Sequence, residues 1–164
     1  MSDDTGQAFR QGARLAIDWG TVRIGVAACD PDGLLAFPVE TVPAKDEVAA
    51  FGRLTSLARQ YDAIEVVMGL PVALSGRQEL AATAVTAVAR RLASQLTVPL
   101  RVVDERLTSV LANRQLSGVA TSKRRSIVDQ AAAAGILEGA LAFERHTGHP
   151  PGHLICDPPM EGDV

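Results

Sequence analysis

Three strand-like runs follow one another between Arg14 and Val42 with only short turns between them, and this order restricts the topology more than any other feature of the chain. Arg14 to Asp18 (RLAID) alternates, with Leu15 and Ile17 on one face and Ala16 and Asp18 on the other. Arg23 to Cys29 (RIGVAAC) is apolar on both faces, the pattern of a central strand. Leu34 to Val42 reads as a third strand, and Pro38, with no N–H to donate, sends it to a sheet edge. Gly20-Thr21 and Asp30-Pro31-Asp32-Gly33 supply the turns. Strands joined this closely pair antiparallel.

From Asp46 to Gln60 the apolar period becomes helical, through Val48, Phe51, Leu54, Leu57 and Ala58. Ile64 to Met68 (IEVVM) is a fourth strand, closed by Gly69-Leu70-Pro71. Ser75 and Gln78 form a capping-box pattern before a helix from about Gly76 to Leu96. Leu100 to Val103 is a fifth strand. Helices follow from about Thr108 to Leu116 and from Ile127 to Arg145, separated by a loop from Ser117 to Arg125 that carries glycine and charge. Strands reached through helices join in parallel by right-handed crossovers. The expected fold is α/β: a mixed five-stranded sheet, a three-stranded antiparallel meander plus parallel strands, with helices on both faces. One domain is expected over residues 14–146, between a flexible N-terminal tail (1–13) and a mobile Pro-rich C-terminal tail (147–164).

The 164 residues suit one domain, and 47% hydrophobic against 21% charged residues is a globular balance. No apolar run approaches the ~20 residues of a membrane span. The polar start MSDDTGQAFRQGA lacks the features of a secretory signal, so the expectation is a soluble cytoplasmic protein with no membrane partner. Cys29 and Cys156 lie far apart, and His146, His149 and His153 are loosely spaced, so neither set suggests a disulfide or a zinc site. A net charge of −3 speaks against a general nucleic-acid binder. Local sign differs. Arg101, Arg106, Arg114, Lys123, Arg124 and Arg125 crowd one stretch against only Asp104 and Glu105.

Three carboxylates stand out. Asp18 lies inside an apolar strand, where a charge is costly unless compensated; the plain alternative is an Asp that starts the turn at Gly20. Asp104 and Glu105 follow the fifth strand, where open α/β sheets bind ligands; the alternative is a solvated pair beside Arg106. Asp129 lies near the start of the last helix on a face with Ala132, Ala133 and Ile136. Its alternative is a capping role, three residues after Ser126 as N-cap. Together, Asp18, Glu105 and Asp129 converge where two parallel strands end and a helix begins. Clustered carboxylates repel unless cations neutralise them, and Mg²⁺ or Mn²⁺ takes such oxygen ligands. Two ions roughly 3.5–4 Å apart suffice for phosphodiester hydrolysis. In that scheme Asp18 bridges both ions, and Glu105 and Asp129 each complete one site.

DWGTVRIGVA (Asp18 to Ala27), VVMGLPVALSG (Val66 to Gly76), VDERLTS (Val103 to Ser109) and SIVDQAAAAGIL (Ser126 to Leu137) resemble the four motifs of the YqgF family, also called RuvX. The likeness covers about residues 14 to 145 without departure at the three carboxylates. It implies an RNase H-like fold and a nuclease that matures the 5′ end of pre-16S ribosomal RNA; the family has also been described as a Holliday junction resolvase. It also implies that Asp18, Glu105 and Asp129 hold the metal, and that Arg106 and Thr108 line the site.

Neighbouring residues suit nucleic acid. Arg106 is fitted for bidentate phosphate contact, unless it serves as partner to Asp104 or Glu105. Lys123, Arg124 and Arg125 run into a helix start, a place for backbone phosphates or simply a solvated loop. Ser75-Gly76-Arg77 would shape a substrate groove. Aromatic residues are few, which favours recognition by backbone and shape. Three other functions compete. Asp18-Trp19-Gly20-Thr21 matches the phosphate loop of actin-like kinases, but those need two fold copies and this chain holds one. A non-catalytic RNA-binding assembly factor would keep the fold without cleavage. A junction resolvase would act as a homodimer, whereas an RNA-processing enzyme can be monomer or homodimer.

Overall fold

A computed structural model describes residues 9–71, 76–104 and 121–155, with backbone alone for 76–81 and 121–126. Its strands are β1 (Ala13–Trp19), β2 (Arg23–Cys29), β3 (Ala36–Pro43), β4 (Ala63–Leu70), β5 (Leu100–Asp104) and β6 (His153–Ile155). The helices among the described residues are α1 (Glu47–Gln60), α2 (Gly76–Ala93) and α3 (Thr121–Thr147). Sheet order is β3-β2-β1-β4-β5-β6. β1 and β2 pair antiparallel, as do β2 and β3, while β1–β4 and β4–β5 pair in parallel. The expected meander, the parallel pair and the edge position of the Pro38 strand are all present.

Local chemistry accounts for the turns. The Asp30 carboxylate accepts hydrogen bonds from the backbone N–H groups of Asp32, Leu34 and Leu35 at 3.1, 2.9 and 2.7 Å. Those bonds, that of Leu35 foremost, hold its pKa below the usual carboxylate range. Leu34 and Leu35 are consumed by this turn and lie exposed, so β3 begins at Ala36 rather than Leu34. Asp46 caps α1 by accepting from the Ala49 N–H at 3.2 Å.

The sheet has two apolar faces. Leu15, Ile17, Ile24, Val66 and Met68 pack beneath α1 and α2 with Phe51, Leu54 and Leu92. Ala16, Ala27, Cys29 and Val67 pack beneath α3 with Ala133, Ile136 and Leu137. The alternation of RLAID therefore assigns the faces correctly. Small residues dominate the α3 side, which lets that helix lie close to the sheet.

Three boundaries differ from expectation. The sheet has six strands, not five: β6 pairs antiparallel with β5, with Leu154 opposite Arg101. These residues belong to the segment expected as a mobile tail. Gly152 makes the return possible, at φ +62 and so near Val102 that a Cβ would strike that residue's carbonyl. At the other end, Phe9, within the segment expected as a flexible tail, is packed against the fold. The Phe9 ring lies under the guanidinium groups of Arg14 and Arg145, 4.5 and 4.3 Å from its centroid. Finally, α3 begins at Thr121, so Lys123, Arg124 and Arg125 are helical rather than part of a loop. Lys and Arg are good helix formers, and no Gly or Pro lies between Thr121 and Ile127 to stop the helix. The expected helix from Thr108 to Leu116 and the Ser75 cap lie outside the described residues.

Charge, as well as apolar contact, holds α3 to the sheet. Glu144 near its C-terminal end and Glu65 on β4 are 2% and 1% exposed. Arg10 bonds both, at 2.7 Å to Glu144 and 2.9 Å to Glu65. Arg14 reaches Glu144 at 3.1 Å, and Arg101 reaches Glu65 at 2.7 Å. This five-residue network occupies the end of the sheet where β1, β4 and β5 begin. Among the described residues no buried side-chain nitrogen or oxygen lacks a hydrogen-bond partner.

Candidate metal and nucleic-acid site

The opposite end of the sheet carries the candidate site. Asp18 is the penultimate residue of β1, paired in register with Gly25 of β2. It continues the series Arg14, Ala16, Asp18 and so shares the face covered by α3. Asp129 lies on α3, and the helix crosses β2 directly over Gly25. A Cβ on Gly25 would collide with the Asp129 carbonyl and crowd the Gln130 nitrogen. Because directly opposed residues of an antiparallel pair share a face, this crossing lays the Asp129 backbone over the face that carries Asp18. Two polar contacts fasten it there. Arg23 Nε donates to Asp129 Oδ2 at 3.0 Å, and Gln130 Nε2 donates to Thr41 Oγ1 of β3 at 3.0 Å.

The helix start at Thr121 also removes the capping explanation for Asp129. The carboxylate lies about two turns inside the helix, beyond the free N–H groups of the first turn. Its side chain is 24% exposed and its hydrogen-bond partner is the Arg23 guanidinium, not a backbone amide. Asp104 ends β5 in register with Leu70. It follows Val102, which packs on the α1–α2 side, so it points to the face away from Asp18. Asp104 also borders a largely apolar cleft of about 530 Å³ between β5 and α3, lined among others by Leu70, Pro71, Val103, Phe143 and His153.

Of the residues expected in the site, the structure places Asp18 on the sheet face that α3 covers and Asp129 on α3 where it crosses Gly25, the residue paired with Asp18. Glu105, Arg106 and Thr108 lie outside the described residues, and the side chains of Arg77, Lys123, Arg124 and Arg125 do too. Among the described residues no three His, Cys, Asp or Glu side chains group closely enough to hold an ion. Asp18 and Asp129 offer oxygen only, the donor type suited to a hard divalent cation. Cys29, on the same face, is buried, and burial pushes the pKa of its thiol up, away from a ligating thiolate.

Sequence reasoning missed Gly25 and Arg23. Gly25 had a readable signal: a glycine inside a central strand marks a close backbone approach. Arg23 had none, because its partner is more than a hundred positions away. Gly25→Ala is expected to lift the first half of α3 from β2. The cost should be about 1–3 kcal/mol, as for an overpacked core, and urea unfolding measures it. An unchanged midpoint would contradict this close crossing.

A family model described as "RuvX: Holliday junction resolvase" matches residues 12–142. The chain belongs to the RuvX family. A relative from Streptomyces coelicolor is 53% identical over 153 residues, covering 92% of this chain and 92% of its own. A Rhodococcus erythropolis relative is 46% identical over 169 residues, covering 99% of this chain and 93% of its own. One from Thermobifida fusca is 46% identical over 157 residues, covering 90% and 98%. Each of the three is described as "Putative pre-16S rRNA nuclease". Among solved structures, T. thermophilus RuvC in complex with a Holliday junction substrate superposes with a TM-score of 0.56 at 14% identity, covering 85% of this chain and 99% of that one. That likeness establishes the fold, an RNase H-like sheet. Family and relatives together make this RuvX-family chain a nuclease, a hydrolase of phosphodiester bonds. No described helix is long and apolar enough to cross a membrane.

Proposed function

We propose that this chain is a divalent-metal-dependent endonuclease of structured nucleic acid that matures the 5′ end of pre-16S ribosomal RNA in the cytoplasm. The observation that carries the reading is the close crossing of α3 over Gly25, which sets Asp129 against the face of Asp18. Two acids held on one face repel each other, and a hard cation relieves that repulsion. Asp18, Glu105 and Asp129 would hold the metal, Mg²⁺ or Mn²⁺, with Asp18 shared between two ions. Asp104 faces the other side of the sheet, which favours Glu105 as the acid this site draws from β5's end. The bound metal supplies an activated water and charge stabilisation at the leaving oxygen. The chain's own residues do the rest. Asp18 and Asp129 fix where the reacting phosphate lies, Arg106 and Thr108 line the site, and Lys123, Arg124, Arg125 and Arg77 hold the flanking backbone by charge.

A second reading, junction resolution by a homodimer, is favoured by the description of the family model. The test offers the purified protein a pre-16S RNA 5′ segment and a four-way DNA junction, each with Mg²⁺, Mn²⁺ or EDTA. Expected is cleavage of the RNA with either ion and none in EDTA. Cleavage in EDTA would overturn the metal dependence. Cutting of the junction alone would replace the first reading by the second. No cutting of either would leave a non-catalytic RNA-binding factor.

A further inference from the structure

We infer that Arg23 is a positioning residue, which aims the Asp129 carboxylate into the site and so raises the affinity of the site for its metal. This rests on the reading of Asp18 and Asp129 as metal ligands. Arg23 opens β2 and lies two residues before Gly25, on the same face of the sheet beneath α3. Its backbone is pinned on one side by pairing with Pro43 of β3. From that fixed base its Nε donates to Oδ2 of Asp129 at 3.0 Å. The Nε–H lies in the plane of the guanidinium and has one direction, so the bond restrains where Oδ2 of the carboxylate lies.

A free Asp side chain on a helix turns about two bonds, and a metal ligand that must stop turning costs affinity. An outer hydrogen bond to a ligating carboxylate removes that cost in advance, and losing such a partner typically weakens metal binding about 10–100-fold. A purely structural reading of the pair predicts something else. Arg23 and Asp129 are 37% and 24% exposed, and an ion pair that open to water contributes little to stability. Removing it should therefore leave the protein folded. Gly25 sets how deeply Asp129 sits, and Arg23 sets where its oxygens point.

The experiment is Mn²⁺ titration calorimetry on the full chain, with thermal melts and Mn²⁺-dependent cleavage beside it. The variants are Arg23→Gln, Arg23→Lys, Asp18→Asn and Asp129→Asn. Expected for Arg23→Gln is a melt close to that of the unaltered protein, Mn²⁺ bound about 10–100-fold more weakly, and cleavage that recovers as Mn²⁺ is raised. Arg23→Lys should recover part of the affinity, since it restores the charge but not the planar donor. Unchanged Mn²⁺ affinity in Arg23→Gln would overturn the inference. Tighter binding would also overturn it, by making Arg23 a competitor of the metal. If Asp18→Asn and Asp129→Asn bind Mn²⁺ like the unaltered protein, the ligand assignment itself falls, whatever Arg23 does.

Discussion

Asp18→Asn is expected to lower kcat/KM for nucleic-acid cleavage by at least about a thousand-fold, equivalent to about 4 kcal/mol of transition-state stabilisation. The amide keeps the size of the carboxylate but neither its charge nor its two equivalent acceptor oxygens, so under the proposed function both ions would lose a shared ligand. The fold should survive. Asp18 sits at the end of β1, partly open to water, and removing one of two like charges relieves repulsion. The melting temperature should therefore hold or rise, in line with the general trade between activity and stability at functional sites. Asp129→Asn should show the same split between activity and stability, with its amide oxygen still able to accept from Arg23. Cleavage within tenfold of the unaltered protein, in either variant, would remove that residue from the site.

Glu144→Ala should have the largest effect on stability, about 3–5 kcal/mol, because it leaves a buried cation uncompensated. Arg14 is 2% exposed and meets Glu144 at 3.1 Å, so its guanidinium would lose a carboxylate partner where water does not reach. Urea unfolding at neutral pH measures the loss; a change under about 1 kcal/mol would show that this network is dispensable. The pH dependence follows the same group. Burial alone would raise the Glu144 carboxyl. The hydrogen bonds from the Arg10 side chain and backbone, with the charges of Arg14 and Arg10, outweigh it and hold the group at about 2. A carboxyl depressed in the folded state stabilises the fold above its unfolded value near 4.5 and loses that contribution as pH falls toward 2. Acid unfolding of the unaltered protein should therefore steepen across that window, and Glu144→Ala should flatten it. Cleavage at low temperature should persist in Glu144→Ala, since this network lies at the end of the sheet away from Asp18 and Asp129.

Much of the site was legible in the chain because strand alternation acts over neighbouring residues. RLAID alone assigned Asp18 to the face opposite Leu15 and Ile17, and the apolar IVDQAAAAGIL placed Asp129 on the packed side of its helix. Pro38 announced an edge strand by its missing donor. Illegible were features that depend on how separate elements dock. Where α3 starts decided that Asp129 is not a cap, and Lys123 to Arg125 gave no local stop signal by which to judge it. The sixth strand depended on an open β5 edge for His153–Ile155 to reach, which nothing within those three residues reveals.

By itself, then, the amino-acid order determined the mixed sheet, the two apolar faces, and which acids end up near strand ends, because each follows from a period of two or 3.6 residues. Only the tertiary structure decided that α3 crosses β2 over Gly25, that Arg23 takes hold of Asp129, and that Arg10, Arg14 and Arg101 close around Glu65 and Glu144. These contacts join residues tens to more than a hundred positions apart. Their partners are selected by the depth and angle at which a helix settles on a sheet, a quantity that no local pattern encodes. Asp18 was visible from the start as a charge on an apolar strand; what stands opposite it was a matter of packing.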